Sequence, residues 1–294
     1  MVRTYLQLLR PANVVTAFTD VLAGASLAGW VLFTGTGASV SPIALVALLV
    51  ATMGLYGGGI VYNDVCDADL DAIERPERPI PSKRISLEDA FRFAVILFVV
   101  GIVASRIVGL TSMYLAIGIA VCAMIYDSWG KHQSWFGPLN MGLCRGGNLM
   151  LGMSILPNWL EVSWLMVFPV LYIAAITLIS RGEVHGGKSK TMLLAGLTYL
   201  VIQGTQLVLS FEKGQLLTTA VFVGFHAYLI FPPLYKAYQE PIGKNIGLAV
   251  KAGVLGLIMM NASWISLSGD WILASCVTFL LPLSMRLARM FAVT

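Results

Sequence analysis

Between Asn63 and Arg84 the chain sets acids and bases side by side: Asn63, Asp64, Asp67, Asp69 and Asp71, then Arg75, Arg78, Lys83 and Arg84. Four of the fifteen carboxylates fall within eight residues. If a helix continues through them, Asp64, Asp67 and Asp71 share one face at i, i+3 and i+7. Like charges at that spacing repel unless a cation stands between them. Oxygen-rich clusters suit Mg²⁺, which binds through one or two carboxylates and completes its shell with water and phosphate. Asn63, Asp64, Asp67 and Asp71 are therefore candidate metal ligands, and the three aspartates are candidate catalytic residues. Acid followed by base suits a metal–phosphate ligand better than a bare metal or a bare anion. Arg75 and Arg78 are the candidate phosphate contacts.

Positioning such a cluster falls to the elements around it, and these read as membrane spans. The chain is 57% hydrophobic and 12% charged, with a mean hydropathy of +0.81. Soluble domains of this size are about one quarter charged. Apolar runs near twenty residues long match the hydrocarbon thickness. Ten helices are predicted, near 12–34, 42–63, 88–109, 111–127, 137–156, 161–181, 190–211, 215–235, 245–267 and 271–290. The expected fold is all-α, a polytopic transmembrane helical bundle forming one domain over 1–294. Only helices satisfy the backbone inside lipid here, since barrel-like alternation is missing.

Charge placement orients the bundle. The even-numbered connections and both ends carry Arg3, Arg10, Arg75, Arg78, Lys83, Arg84, Lys131, Arg181, Lys188, Lys190, Lys236, Lys244, Arg286 and Arg289. The odd-numbered connections hold Lys213 and, at a helix end, Arg106. By the positive-inside rule both termini are expected in the cytoplasm, in a cell (inner) membrane, with the acidic cluster on the same side. Arg3 and Arg10 precede a long span without a small-residue cleavage site, so the first span is expected to be retained. The net charge of +4 needs no nucleic-acid partner. Cys66, Cys122, Cys144 and Cys276 are scattered and show no ligand spacing.

The pattern Asn-Asp-x-x-Asp-x-x-x-Asp at 63–71, with Arg75 and Arg78-Pro79-Ile80-Pro81-Ser82 after it, resembles the first signature of the UbiA family of intramembrane prenyltransferases. Arg10-Pro11-Ala12-Asn13 is similar to that family's first helix, and the likeness comes closest to the EboC-like branch. It extends to about residue 267, with nine family-like helices, so the helix at 271–290 is a tenth. The resemblance implies Mg²⁺-dependent transfer of an isoprenyl group from an isoprenyl diphosphate to a membrane-held acceptor that it does not identify. It also implies that Asn13 meets the diphosphate. Tyr126, Asp127 and Lys131 resemble the family's tyrosine–lysine element, one residue longer than usual, which makes Lys131 another phosphate contact.

The family's second acidic motif should follow the sixth span. The residues there are Ser180-Arg181-Gly182-Glu183-Val184-His185-Gly186-Gly187-Lys188-Ser189-Lys190. Arg181 and His185 stand where aspartates are usual, leaving Glu183 as the remaining metal ligand. A site with one metal is expected, with Arg181, Lys188 and Lys190 contacting phosphate oxygens directly, since guanidinium–phosphate pairs are strong. Gly186-Gly187 would let backbone amides approach an anion.

Ionisable groups at membrane depth are costly and usually face a cavity or a partner. Arg145 lies about two turns into the fifth span and Asp20 midway along the first. They either pair, or Arg145 joins Asn13 on a phosphate. Gln203, Gln206, His226 and Asn261 add polar atoms that most often join helices. Asp127 and Glu183 are candidate acceptors of the acceptor's proton. Two rivals stand beside transfer: a non-catalytic isoprenoid- or amphiphile-binding membrane protein, favoured by the altered second motif, and a secondary transporter, which leaves the acid–base loop unexplained.

Overall fold

The computed structural model describes residues 2–34, 37–184 and 186–291, and His185 lies outside the described residues. It is built of helices: α1 (Val2–Leu9), α2 (Pro11–Leu27), α3 (Pro42–Cys66), α4 (Ala68–Glu74), α5 (Leu87–Val108), α6 (Leu110–Ser128) and α7 (Phe136–Met153). The second half contains α8 (Trp159–Val162), α9 (Val167–Ser180), α10 (Ser189–Glu212), α11 (Leu216–Gln239), α12 (Gly243–Leu267), α13 (Trp271–Thr278) and α14 (Leu280–Phe291).

Among the described residues, eight segments are long and apolar enough to cross a membrane. Two of them are pairs of helices: α8 and α9 join through a 3₁₀ turn at Ser163–Met166, and α13 and α14 meet at Phe279. The two predicted spans outside that set are α2 and α7. The first has 17 helical residues, and the second carries Pro138, Asn140, Arg145 and Asn148 among its glycines. They are tolerated because they are enclosed by other helices rather than by lipid. Asp20 is 0% exposed and Arg145 3%.

The first span was expected to reach residue 34, yet α2 stops at Leu27. Gly29 takes φ +109°, a region that L side chains rarely adopt. It allows Trp30 N to donate to Ala25 O and Gly29 N to donate to Ser26 O, both at 3.0 Å, which closes the helix end. Beyond it, the backbone N–H groups of Leu32 and Phe33 donate to Asp270 Oδ2 at 2.7 and 3.1 Å. Asp270 Oδ1 meanwhile caps α13 through Leu273 N. This end of the bundle is tied by one buried carboxylate.

α2 and α7 approach closely because glycines face each other. A Cβ on Gly24 would fall 2.1 Å from Leu149 O, and one on Gly152 would fall 2.3 Å from Val21 O. Small residues permit such backbone contact in membrane bundles. The apolar core has two main regions and a third around Leu8, Val61 and Leu97, where α1, α3 and α5 meet. The larger joins α9, α10, α11 and α12 around Tyr172, Tyr199 and Trp264, and the smaller lies among α3, α5 and α6 around Leu48 and Phe98.

Candidate active site

At the charged end, α3 does not run unbroken through the aspartates. It ends at Cys66, and Asp67 (φ −95°, ψ 7°) is the junction from which α4 starts. The chain turns with its hydrogen bonding intact, since Asp67 N donates to Asn63 O at 2.9 Å and Asp71 N to Asp67 O at 2.8 Å. The expected continuous helix is thus divided into α3 and α4 at Asp67. Asp64 and Asp71 share Arg78, whereas Asp67 pairs with Lys131.

Basic side chains fill the space between them. Arg78 Nη1 lies 2.6 Å from Asp71 Oδ2 and 3.3 Å from Asp64 Oδ1. Arg10 Nη2 donates to Asp64 Oδ1, and Lys131 Nζ pairs with Asp67 Oδ1. Asn63 Nδ2 donates to Asp67 Oδ2 at 3.1 Å and to Asp127 Oδ1 at 2.8 Å. The cations that relieve the acidic repulsion are thus this chain's own Arg10, Arg78 and Lys131. Burial pulls the Arg10 guanidinium below its usual pKa; Asp64 opposes that, and Arg78 and Arg75 add to it. Arg10 also holds φ +45°, rare for a side chain that is not glycine. Pro11 follows as the first residue of α2.

Below this ring lies a cavity of about 230 Å³ between α2, α3, α6 and α7. Arg10, Asn13, Asn63 and Asp127 line its charged end. Deeper, Tyr56, Leu55, Ile119 and Met141 make it largely apolar, and Asn148 reaches its far wall. From Asn63 to Leu55 is eight residues of α3, a depth of about 12 Å.

Beside that wall sits a polar knot. Arg145 Nε lies 2.6 Å from Asp20 Oδ2, an ion contact without the alignment of a hydrogen bond. Arg145 Nη2 donates to Thr16 O at 2.7 Å, and its guanidinium carbon lies 5.4 Å from the Tyr56 ring centre. Asp20 also accepts from Asn148 Nδ2 at 2.9 Å and Asn261 Nδ2 at 2.7 Å. Of the two sequence alternatives for Arg145, the pair with Asp20 is the one formed. Arg145 braces α2 against α7 instead of reaching the charged mouth.

Other expected contacts are also redirected. Arg181 donates to Ser134 O and Gln133 O, each at 2.7 Å, and so fastens the α9–α10 loop to the α6–α7 loop. Two carbonyls already occupy its guanidinium fork. Gly187 N donates to Pro241 O at 2.9 Å, so Gly186-Gly187 packs on a neighbouring loop in place of an anion cradle. Lys188 is exposed at the start of α10. Glu183 is half-buried. Burial pushes its carboxyl pKa up, opposed by the charge of Arg75.

The oxygen donors of Asp64, Asp67, Asp71 and Asn63 fit Mg²⁺ by type, and one or two carboxylates suffice when phosphate completes the shell. In the arrangement observed, each of the three aspartates touches a base. Among the described residues, no three His, Cys, Asp or Glu side chains come together as a ready metal cage. The expected set of Asn63, Asp64, Asp67, Asp71 and Glu183 is therefore not gathered as such a cage among the described residues.

Arg10, Tyr56 and Asp127 are the residues that sequence reasoning undervalued. The Arg10-Pro11 step at a helix start was the available signal for the first. Nothing in the apolar run of α3 distinguishes Tyr56, which becomes a wall residue only through packing.

The UbiA prenyltransferase family model matches residues 22–244. Digeranylgeranylglyceryl phosphate synthase from Sulfolobus acidocaldarius is 34% identical over 63% of this chain and 63% of its own length. The enzyme of that name from Sulfurisphaera tokodaii is 29% identical over 60% and 61%. The chain thus aligns over about three fifths of the length of these curated relatives. They carry the synthase name and lend no particular weight to the EboC-like branch. Among solved structures, a UbiA homolog from Aeropyrum pernix has a TM-score of 0.68 at 13% identity, covering 90% of this chain and 98% of that one. A UbiA homolog from Archaeoglobus fulgidus, bound to GPP and Mg²⁺, has a TM-score of 0.56 at 12% identity, covering 92% and 99%. Helical architecture, the acid–base signature and the family match agree, and the chain belongs to the UbiA prenyltransferase family.

Proposed function

We propose that this protein transfers an isoprenyl group from an isoprenyl diphosphate to an acceptor held in the membrane, with the charged end of the bundle in the cytoplasm. The observation that carries the reading is the cavity itself: a mouth of Arg10, Asn13, Asn63 and Asp127 above an apolar interior. A diphosphate matches the mouth and an isoprenoid matches the interior. Mg²⁺ held by Asp64, Asp67 or Asp71 with Asn63 supplies charge neutralisation for a departing diphosphate.

The chain's own residues account for the rest. Arg10, Arg78 and Lys131 lie beside the carboxylates that would hold the metal, and they would supply positive charge to the phosphate oxygens. Arg75 and Lys188 extend the positive field at the same end, whereas Arg145 and Arg181 act by bracing. Donors aimed at a leaving group favour breaking of the donor's C1–O bond, whose electron pair goes to the diphosphate oxygen. The acceptor nucleophile forms the new bond to C1, and its proton passes to Asp127, which lines the cavity and accepts a hydrogen bond from Asn63 Nδ2. The relatives' name sets the first pair to try: geranylgeranyl diphosphate with geranylgeranylglyceryl phosphate.

The test is turnover by the intact chain in proteoliposomes, with labelled donor and Mg²⁺, read as both prenylated product and released diphosphate. Unchanged turnover in Asp64→Ala and Asp71→Ala would sink the mechanism. One observation favours a second reading, isoprenoid binding without transfer: Glu183 is the one carboxylate between Ser180 and Lys190, where the family's second acidic motif is expected. It predicts thermal stabilisation by donor with no diphosphate released.

A further inference from the structure

The cavity below the charged mouth measures about 230 Å³. Pockets that enclose drug-sized ligands run to roughly 300–1,000 Å³. With its diphosphate fixed at the mouth, a long isoprenoid donor cannot fit its tail and an acceptor in that space. The tail must leave, and the wall residues indicate where. On the other side of α6 and α7 lies a groove of about 410 Å³, lined by Thr111, Leu115, Gly118, Cys122, Leu143 and Gly147.

Ile119 belongs to the walls of both the cavity and the groove. Its side chain is 8% exposed and stands where α7 has no side chain, since a Cβ on Gly147 would fall 2.9 Å from Ile119 Cγ1. Its neighbour Gly118 has nothing within 4 Å of where a Cβ would be, which leaves the groove open along α6. From Ile119 to Thr111 the groove follows α6 for eight residues, about 12 Å. Its mostly apolar lining suits a hydrocarbon chain. A tail lying there gains packing against fixed walls, since surrounding lipid is equally apolar.

We infer that Ile119 gates the passage between the cavity and the α6–α7 groove, and that long isoprenyl tails pass it to lie in that groove. The inference rests on the isoprenyl-diphosphate reading of the cavity and deepens it by assigning a chain-length determinant. Ile119 is β-branched with few χ1 options, so opening takes a rotamer change or a small separation of α6 from α7. A larger side chain bars long donors specifically.

The experiment measures the affinities of dimethylallyl and geranylgeranyl diphosphates, each with Mg²⁺, for the intact protein in nanodiscs. In Ile119→Trp the ratio of geranylgeranyl to dimethylallyl affinity is expected to fall at least tenfold, and in Ile119→Ala to hold or rise. A second readout uses a geranylgeranyl diphosphate analogue with a photoreactive tail end. Its crosslinks are expected within 111–122 and 143–159. Crosslinks confined to α10–α12, or an unchanged ratio in Ile119→Trp, overturn the gate. Failure of the unsubstituted protein to bind either donor overturns the diphosphate reading and the gate with it. Binding of both donors without discrimination by the variants overturns the gate alone.

Discussion

Arg145 and Asp20 form an ion pair inside the bundle, with Nε 2.6 Å from Oδ2 and both side chains at most 3% exposed. The pair joins α2 to α7, and Asn148 and Asn261 add hydrogen bonds to the same carboxylate. It sits beside Tyr56 and Asn148, which line the cavity. Removing one partner leaves the other charge buried and uncompensated, a loss of about 3–5 kcal/mol. Asp20→Ala and Arg145→Ala should each destabilise strongly, and the double variant by much less than the sum. Thermal unfolding in detergent measures the cycle, and full additivity would show that the pair is not coupled.

Arg78 bridges Asp64 and Asp71, so its loss should do two things at once. Arg78→Ala should weaken donor binding at least tenfold, about 1.4 kcal/mol, and separate the two carboxylates. Arg78→Lys should recover only part of this, because an ammonium lacks the planar fork that spans two partners. Donor titration of the three proteins provides the comparison, and full recovery by lysine would argue against a bridging role.

Asp67 differs from Asp69 in its contacts. Asp67 meets Lys131 and Asn63, while Asp69 is exposed. Asp67→Ala should raise the Mg²⁺ concentration needed for half-maximal turnover several-fold, and Asp69→Ala should leave it unaltered. Equal effects would mean that the local charge, rather than placement at the mouth, sets metal affinity.

Arg181 holds two backbone carbonyls, Gln133 O and Ser134 O. Arg181→Ala should therefore speed amide exchange and proteolysis across 130–137 and change donor affinity less than Arg78→Ala does. A donor-affinity loss as large as that of Arg78→Ala, with the loop unaffected, would restore Arg181 to the phosphate.

Gly152 offers a packing control. A Cβ there would fall 2.3 Å from Val21 O, while one on Gly204 meets nothing within 4 Å. Gly152→Ala should cost about 1–3 kcal/mol by overpacking, and Gly204→Ala should stabilise or be neutral. Melting temperatures of the two variants decide the matter.

Features that depend on local pattern were legible in the amino-acid order alone. Apolar runs of spanning length require helices because lipid offers the backbone no hydrogen bonds. The asymmetry of lysine and arginine put one end apart from the other, and the acid–base stretch from Asn63 to Arg84 marked that end as the candidate site. Even α2 and α7, the two spans that lack the apolar length or content of the rest, were legible as helices. Tertiary structure decided which charges meet. Asp67 meets Lys131, 64 positions away, because α6 and the turn after it pack beside α3. Arg10, 54 positions from Asp64, arrives beside it only when α2 packs near α3. Arg145 turns to Asp20 because facing glycines bring α2 and α7 within reach, and Arg181 turns to carbonyls that a neighbouring loop presents. Sequence spacing fixes which face of a helix a side chain occupies. What lies opposite that face is set by packing, and in a low-dielectric interior the nearest opposite charge takes the contact.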